Sequence, residues 1–266
     1  MCERWMRGLD ISHWNSITPE RIRSAGFEFV LIKATEGVSF RDPSFDDMYI
    51  AVKSWNNCHP DEPIHIGCYH YLLATTKAEA KAEANFFINS IKGLAFDMPV
   101  FVDVEQSEIF ETGYAEEITR VFCEEVEKAG YWTGFYTYYS RWFHSLEDRF
   151  TGWLACWSDE KPVNAACGIW QFTSSWEIDG KCFDANDCYI DYPAEIRAKG
   201  LNGLQPFPAD VNRDGEVNSA DLVSEMKAIS NGVSDSRFDV NGDGTVDTKD
   251  LVKIMKEVRN DNKGYY

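Results

Sequence analysis

In "FVDVEQ", Asp103 and Glu105 stand two residues apart near the end of a run that reads as a β-strand. Strand side chains alternate between faces, so both carboxyls point the same way. Burial and mutual repulsion keep a proton on one such acid while its neighbour stays ionised, which is the equipment for breaking a glycosidic bond. Asp10 ends the first strand-like run, "RGLDIS", and Asp184 lies in the last, "KCFDAND"; closure of a barrel brings these two side by side. The same acids could instead hold a divalent metal, but no histidine lies near the Asp103/Glu105 motif. Aromatic side chains at strand spacing offer apolar ring faces with polar edges, which suit pyranose rings as well as a core. Tyr69, Tyr71, Tyr138 and Trp157, with Gln171 between Trp170 and Phe172, are the candidate substrate contacts. His70 points away from Tyr69 and Tyr71 and reads as structural, and Lys33 and Glu36 in "IKATEG" read as rim residues.

The elements that must position these residues alternate from the start of the chain. "FEFVLIKAT", "HIGCYHYLLA", "MPVFVDVE" and "YWTGFYTYY" are extended apolar runs, each followed by a helical pattern, the last by a shorter one. "TPERIRSAG" has a Thr cap, Pro at the first helical position and a closing Gly. The rhythm then changes, because "GWLACWS", "CGIWQFTS" and "KCFDAND" leave little room for helices between them. Five strand–helix units followed by three closely spaced strands predict an α/β fold, a modified TIM-like β/α barrel. The expected boundaries are a barrel over 1–202, a Pro-containing linker over 203–208, a small all-α module over 209–259 and a tail over 260–266.

The small module writes one loop twice. "DVNRDGEVNSAD" at 210–221 returns 29 residues later as "DVNGDGTVDTKD", and 11 of 18 aligned positions are identical. Loop positions 1, 3, 5, 7, 9 and 12 are Asp210, Asn212, Asp214, Glu216, Asn218 and Asp221 in the first copy. In the second they are Asp239, Asn241, Asp243, Thr245, Asp247 and Asp250. Oxygen ligands at this spacing suit a hard cation of high coordination number, and Gly215 and Gly244 fall at position 6, where the backbone turns sharply. Calcium is the natural occupant, one ion per loop. "QPFPA" and "SNGVSDSRF" precede the loops and cannot form entering helices, so only the exiting helices are expected.

Composition sets outer limits. The net charge is −18, of which −4 lies on residues 204–266, a field that repels nucleic acid and anionic lipid. No apolar run is long enough to span a membrane, and the opening "MCERWMRGLD" has no leader-like apolar stretch. The eight cysteines include no C-x-x-C pair, which argues against zinc; Cys182 and Cys188 are the most suggestive disulfide partners by spacing.

"RGLDISHW", "FVLIKATEG", "DPSF", "IGCYHYL", "PVFVDVE", "GFYTYY", "WLACW" and "IWQFTS" occur in the order seen in glycoside hydrolase family 25, the Chalaropsis-type lysozymes. This resemblance spans about residues 7–195 and implies cleavage of the β-1,4 bond from N-acetylmuramic acid to N-acetylglucosamine in peptidoglycan, with no catalytic cofactor. It implies Glu105 as general acid, with Asp103 as nucleophile or as the group orienting the substrate acetamido. Asp10 and Asp184 complete the acidic cluster, with Asp187 competing for the fourth place. The loop–helix pairs resemble a type I dockerin, which implies docking to a cohesin domain on a scaffoldin, with specificity read at Ser219/Ala220 and Thr248/Lys249. Together the resemblances imply a secreted muramidase tethered to a multienzyme complex at a cell surface. A non-catalytic peptidoglycan-binding barrel on the same dockerin, or a free calcium sensor in the tail, are the alternatives.

Overall fold

The structure, a computed structural model, describes residues 3–261, with side chains to residue 258; Cys2 and the tail beyond Asp261 lie outside the described residues. The chain forms two compact units, Met1–Tyr192 and Pro193–Tyr266, which part upstream of the 203–208 segment.

In the first unit strands and helices alternate: β1 (Met6–Ile11), α1 (Pro19–Ser24), β2 (Phe29–Glu36), β3 (Phe40–Arg41), α2 (Phe45–Cys58), β4 (His65–Tyr71) and α3 (Lys77–Ile91). Then follow β5 (Val100–Asp103), α4 (Ser107–Glu111), α5 (Ala115–Lys128), β6 (Thr133–Tyr138), β7 (Thr151–Ala155), β8 (Ile169–Ile178) and β9 (Lys181–Cys188). The sheet runs β1-β9-β8-β7-β6-β5-β4-β2-β3, and β1 also pairs with β2, so eight strands close into a barrel with β3 added at the rim. All pairings around the barrel are parallel except those of β9, which runs antiparallel to both β8 and β1. Asp179 and Gly180, both at positive φ, make the tight β8–β9 turn, the conformation a two-residue hairpin of this twist requires.

Sequence explains the local choices. Thr18 caps α1 ahead of Pro19, and Thr76 and Glu79 form a reciprocal capping box on α3. Val30, Leu31 and Ile32 are all fully buried, as expected for strands covered on both faces. The connection after β6 holds one 3-10 turn over Tyr139–Arg141 in place of the shorter helix expected there, and no helix separates β7, β8 and β9. The seven described cysteines are all free. Cys182 and Cys188 sit six residues apart on one extended strand, roughly 20 Å at about 3.3 Å per residue, far beyond disulfide reach.

The division falls after the first residue of α6 (Tyr192–Ala198); the second unit holds the rest of that helix, then α7 (Ser219–Ser230) and α8 (Thr248–Asp261). No helix enters either loop; only a 3-10 turn over Ser236–Phe238 precedes the second. The core gathers Val211, Ala228, Phe238, Val240 and Ile254. Val223, Met226, Val252 and Met255, at matching positions of the two copies, are exposed instead. Among the described residues, no helix is long and apolar enough to cross a membrane.

Candidate active site and candidate calcium loops

Asp103 is the last residue of β5, in register with Tyr71 of β4 and Tyr136 of β6, and Glu105 follows two residues later at the C-terminal rim of the parallel strands. Strand alternation turns Asp103 into the barrel mouth, where it is 6% exposed and its Oδ1 has no hydrogen-bond partner. Burial, then the neighbouring Glu105 carboxylate, push Asp103 well above the usual carboxylate range, against a smaller opposing pull from Lys33. Glu105 is more open to solvent; burial raises it, and the Tyr138 hydroxyl, donating to its Oε2 at 2.9 Å, partly offsets the rise. Burial and mutual charge thus favour a proton on this pair, one member of which solvent reaches.

Barrel closure makes a second acid pair. Asp10 of β1 and Asp184 of β9 are direct register partners and hydrogen-bond to each other, which requires one shared proton. Burial and the Asp184 charge push Asp10 well above its ordinary value, whereas Asp184 is raised by burial and relieved by the bond from Asp10. Asn186 Nδ2 (2.8 Å) and Gln171 Nε2 (3.0 Å) both donate to Asp10 Oδ2. Each amide is oriented by an indole, which can only donate: Trp153 Nε1 to Asn186 Oδ1 at 2.7 Å, and Trp157 Nε1 to Gln171 Oε1 at 3.2 Å. The Tyr136 hydroxyl adds a second bond to Gln171 Oε1 at 3.2 Å.

Asp187 stands on the opposite face of β9. Arg7 donates to it through Nε (2.8 Å) and Nη2 (3.2 Å), so Asp184 faces the mouth and Asp187 does not. Gln171 is buried with both amide ends committed, which makes it a holder of Asp10. Tyr69, packed edge-on against Trp153, is buried, whereas Tyr71, Tyr138 and Trp157 retain surface at the mouth. Lys33 Nζ bonds Glu36 at 2.6 Å and sits 4.7 Å from the Tyr71 ring. His70 is fully buried between Thr35 Oγ1 (2.7 Å) and Glu83 Oε2 (2.9 Å), a structural histidine.

The two loops of the second unit share one conformation. The position-1 aspartates, Asp210 and Asp239, accept from backbone N–H groups of positions 5 and 6. The position-12 aspartates, Asp221 and Asp250, are fully buried and accept from positions 3 and 9. Gly215 and Gly244 take positive φ at position 6; position 4 is also left-handed, with Gly242 in one copy and Arg213 in the other. Among the described residues, no three His, Cys, Asp or Glu side chains converge as a ready cage, because the acids turn onto their own loop's backbone. The donor set fits a hard cation, being oxygen throughout and mixing carboxylate, amide and backbone carbonyl. Burial, with Asp221 and Asp214 close by, raises Asp210, the crowding that a bound cation relieves. In the second loop Lys249 Nζ lies 2.9 Å from Asp243 and 3.5 Å from Asp247, a positive charge already drawn to the same acids.

The profile of the family described as Glycosyl hydrolases family 25 matches residues 9–181, most of the barrel and three of its four rim acids. The chain belongs to glycosyl hydrolases family 25. A type I dockerin domain matches residues 208–259. The family 25 region is similar to the autolytic lysozyme of Clostridium acetobutylicum, at 29% identity over 180 residues covering 66% of this chain and 52% of that protein. It is also similar to lysozyme M1 of Streptomyces globisporus, at 31% identity over 106 residues covering 38% and 33% respectively. The matched region thus spans about half or less of these two relatives. Among solved structures, a family 25 glycosyl hydrolase from Bacillus anthracis superposes with a TM-score of 0.58 at 20% identity, covering 76% of this chain and 95% of that one. The bacterial lysozyme of Streptomyces coelicolor gives 0.57 at 23% identity, covering 69% and 91%. The family 25 fold accounts for the five-then-three strand rhythm, including the antiparallel β9 that carries Asp184 to Asp10.

Proposed function

We propose that the barrel is a muramidase that hydrolyses the β-1,4 bond from N-acetylmuramic acid to N-acetylglucosamine in peptidoglycan. The observation that carries this reading is Glu105, a solvent-reached carboxyl raised by burial beside the nearly buried Asp103. Glu105 donates its proton to the glycosidic oxygen as the bond breaks, Tyr138 steadies the carboxylate left behind, and water then bonds to the anomeric carbon and returns its proton to Glu105. Asp103 keeps one buried oxygen without a partner at the rim, a placement that suits orienting the substrate acetamido group better than open attack. Asp10 and Asp184 share a proton beneath the mouth and, held by Asn186 and Gln171, fix the floor on which the sugar sits.

In the same reading the dockerin tethers the secreted enzyme to a cohesin-bearing scaffoldin of a multienzyme complex. Each loop takes one calcium ion through its oxygen ligands at positions 1, 3, 5, 7, 9 and 12, and the ion supplies the positive charge that offsets the crowded carboxylates. The duplicated apolar positions Val223/Met226 and Val252/Met255 supply surface for a protein partner. The test is product analysis on purified peptidoglycan, with cohesin capture measured in calcium and in chelator. The reading predicts new reducing ends on muramic acid in both buffers and capture only with calcium. Wall binding without new reducing ends would make the barrel a binding module, and capture that ignores chelation would remove calcium from the tether.

A further inference from the structure

Beyond β1, residues Ser12–Asn15 form a turn closed by Ser12 N to Asn15 Oδ1 (2.8 Å) and Asn15 N to Ser12 O (3.1 Å). Asp42, itself 2% exposed, grips this turn from the segment after β3, accepting from His13 backbone N (3.1 Å) and pairing with His13 Nδ1 (2.7 Å). The imidazole so fixed lies 4.4 Å from the Trp14 ring, and Trp14 is 84% exposed. A side chain this open adds almost nothing to the core, yet one oxygen of a nearly buried carboxylate holds the turn that displays it, while the other accepts from Ser44 N and Oγ. Single exposed apolar residues are common on proteins and need no explanation alone. Here the surroundings supply one. His13 is 5.7 Å from Phe40, Lys33 Nζ is 5.9 Å from the Phe40 ring and 4.7 Å from Tyr71, and Tyr71 is the register neighbour of Asp103. Neighbouring rings and one cation therefore lead from Trp14 through His13, Phe40 and Lys33 to Tyr71, the register partner of Asp103.

We infer that Trp14, with Phe40 across His13 from it, is a remote glycan subsite that stacks a sugar ring of the same strand whose bond is cut at Glu105. The inference rests on the muramidase reading and adds to it a preference for long strands. A flat ring face displayed on a fixed turn suits the apolar face of a pyranose, and the turn backbone loses little freedom when the sugar arrives. Lys33, the cation along the strip, is already committed to Glu36, so the strip offers ring faces and no free positive charge for an anionic partner.

The test uses the full-length protein and its Trp14→Ala variant, with kinetics on long peptidoglycan strands stripped of stem peptides and on muropeptide-derived tetrasaccharides. The ratio of kcat/KM on long strands to that on tetrasaccharides falls about tenfold in the variant, carried by KM and equivalent to ~1.4 kcal/mol. Trp14→Phe recovers most of the ratio. A ratio within twofold of wild type overturns the inference. An effect seen with intact peptidoglycan but lost on peptide-free strands also overturns it, since the strip would then read peptide. If the wild type cuts neither substrate, the muramidase reading fails separately, and calorimetric binding of the stripped strands to wild type and Trp14→Ala decides the subsite. Weaker binding by the variant supports it, and equal binding overturns it.

Discussion

Asn186→Ala removes the member of the rim network that joins the core to the acid pair. In the native barrel Asn186 Nδ2 donates to Asp10 at 2.8 Å and its Oδ1 accepts from Trp153 at 2.7 Å, with all three residues buried. Loss of the first bond costs about 1–2 kcal/mol, and the stranded indole N–H about 1–3 kcal/mol, since each group stays away from water. The sum, about 2–5 kcal/mol, lowers the melting temperature of a domain this size by about 4–20 °C. The chemistry should move as well. The Asn186 bond lowers Asp10, so its loss lets the Asp10/Asp184 pair keep its shared proton to higher pH. The limb of the rate–pH profile that reports this pair therefore shifts upward. Trp153→Phe strands an amide oxygen but leaves Asp10 its donor, so it should destabilise without that shift. Calorimetry and a kcat/KM–pH profile on both variants check the pattern. An Asn186→Ala barrel that melts within about 2 °C of wild type, with its pH profile unmoved, would show that the network does not hold Asp10.

Two further outcomes are expected. Tyr138→Phe removes the hydroxyl that favours ionised Glu105, so the alkaline limb of the lysis profile moves to higher pH with less than a tenfold loss of kcat; an unmoved limb would detach Tyr138 from the acid. Glu225 is a fully buried carboxyl with neither oxygen partnered, pushed up to about 7 by burial and by Asp250, whereas the second copy places Ile254 at the equivalent core position. An acid raised on folding contributes stability below its unfolded value and loses it as pH rises through the folded value. Glu225→Ile should therefore raise the calcium-free tail's melting transition by the equivalent of about 1–3 kcal/mol above pH 7, with less gain in acid; a lowered transition would assign Glu225 a stabilising partner.

Much of the site was legible because strand period and barrel closure are strong geometric rules. Period two put Asp103 and Glu105 on one face, and closure put Asp184 against Asp10. Strand parity also puts Asp184 and Asp187 on opposite faces, but which of them faces inward comes only from the Asp10–Asp184 register and the Arg7–Asp187 pair in the fold. What stayed hidden was partnership. Gln171 reads from sequence as one more polar group among aromatics, and only the fold shows its two ends taken by Asp10 and by Trp157 and Tyr136. Trp153 and Trp157 look equivalent in "WLACW", yet β7 ends at Ala155, so one packs in the barrel and the other reaches solvent. The Asp42–His13 grip joins segments 29 residues apart that carry no shared pattern. In the tail, the loops announced themselves by repetition, but the helices' apolar residues did not reveal which would face solvent, because two short helices leave part of any stripe uncovered.

The central claim is that Glu105 supplies the proton that breaks the glycan. The most direct measurement compares wild type with Glu105→Gln for release of muramic-acid reducing ends from purified peptidoglycan, with folding of the variant verified by its melting curve. The substitution keeps size and hydrogen bonding but removes the transferable proton, so the rate should fall by about two to four orders of magnitude. A folded Glu105→Gln protein that releases reducing ends at close to the wild-type rate would contradict the account.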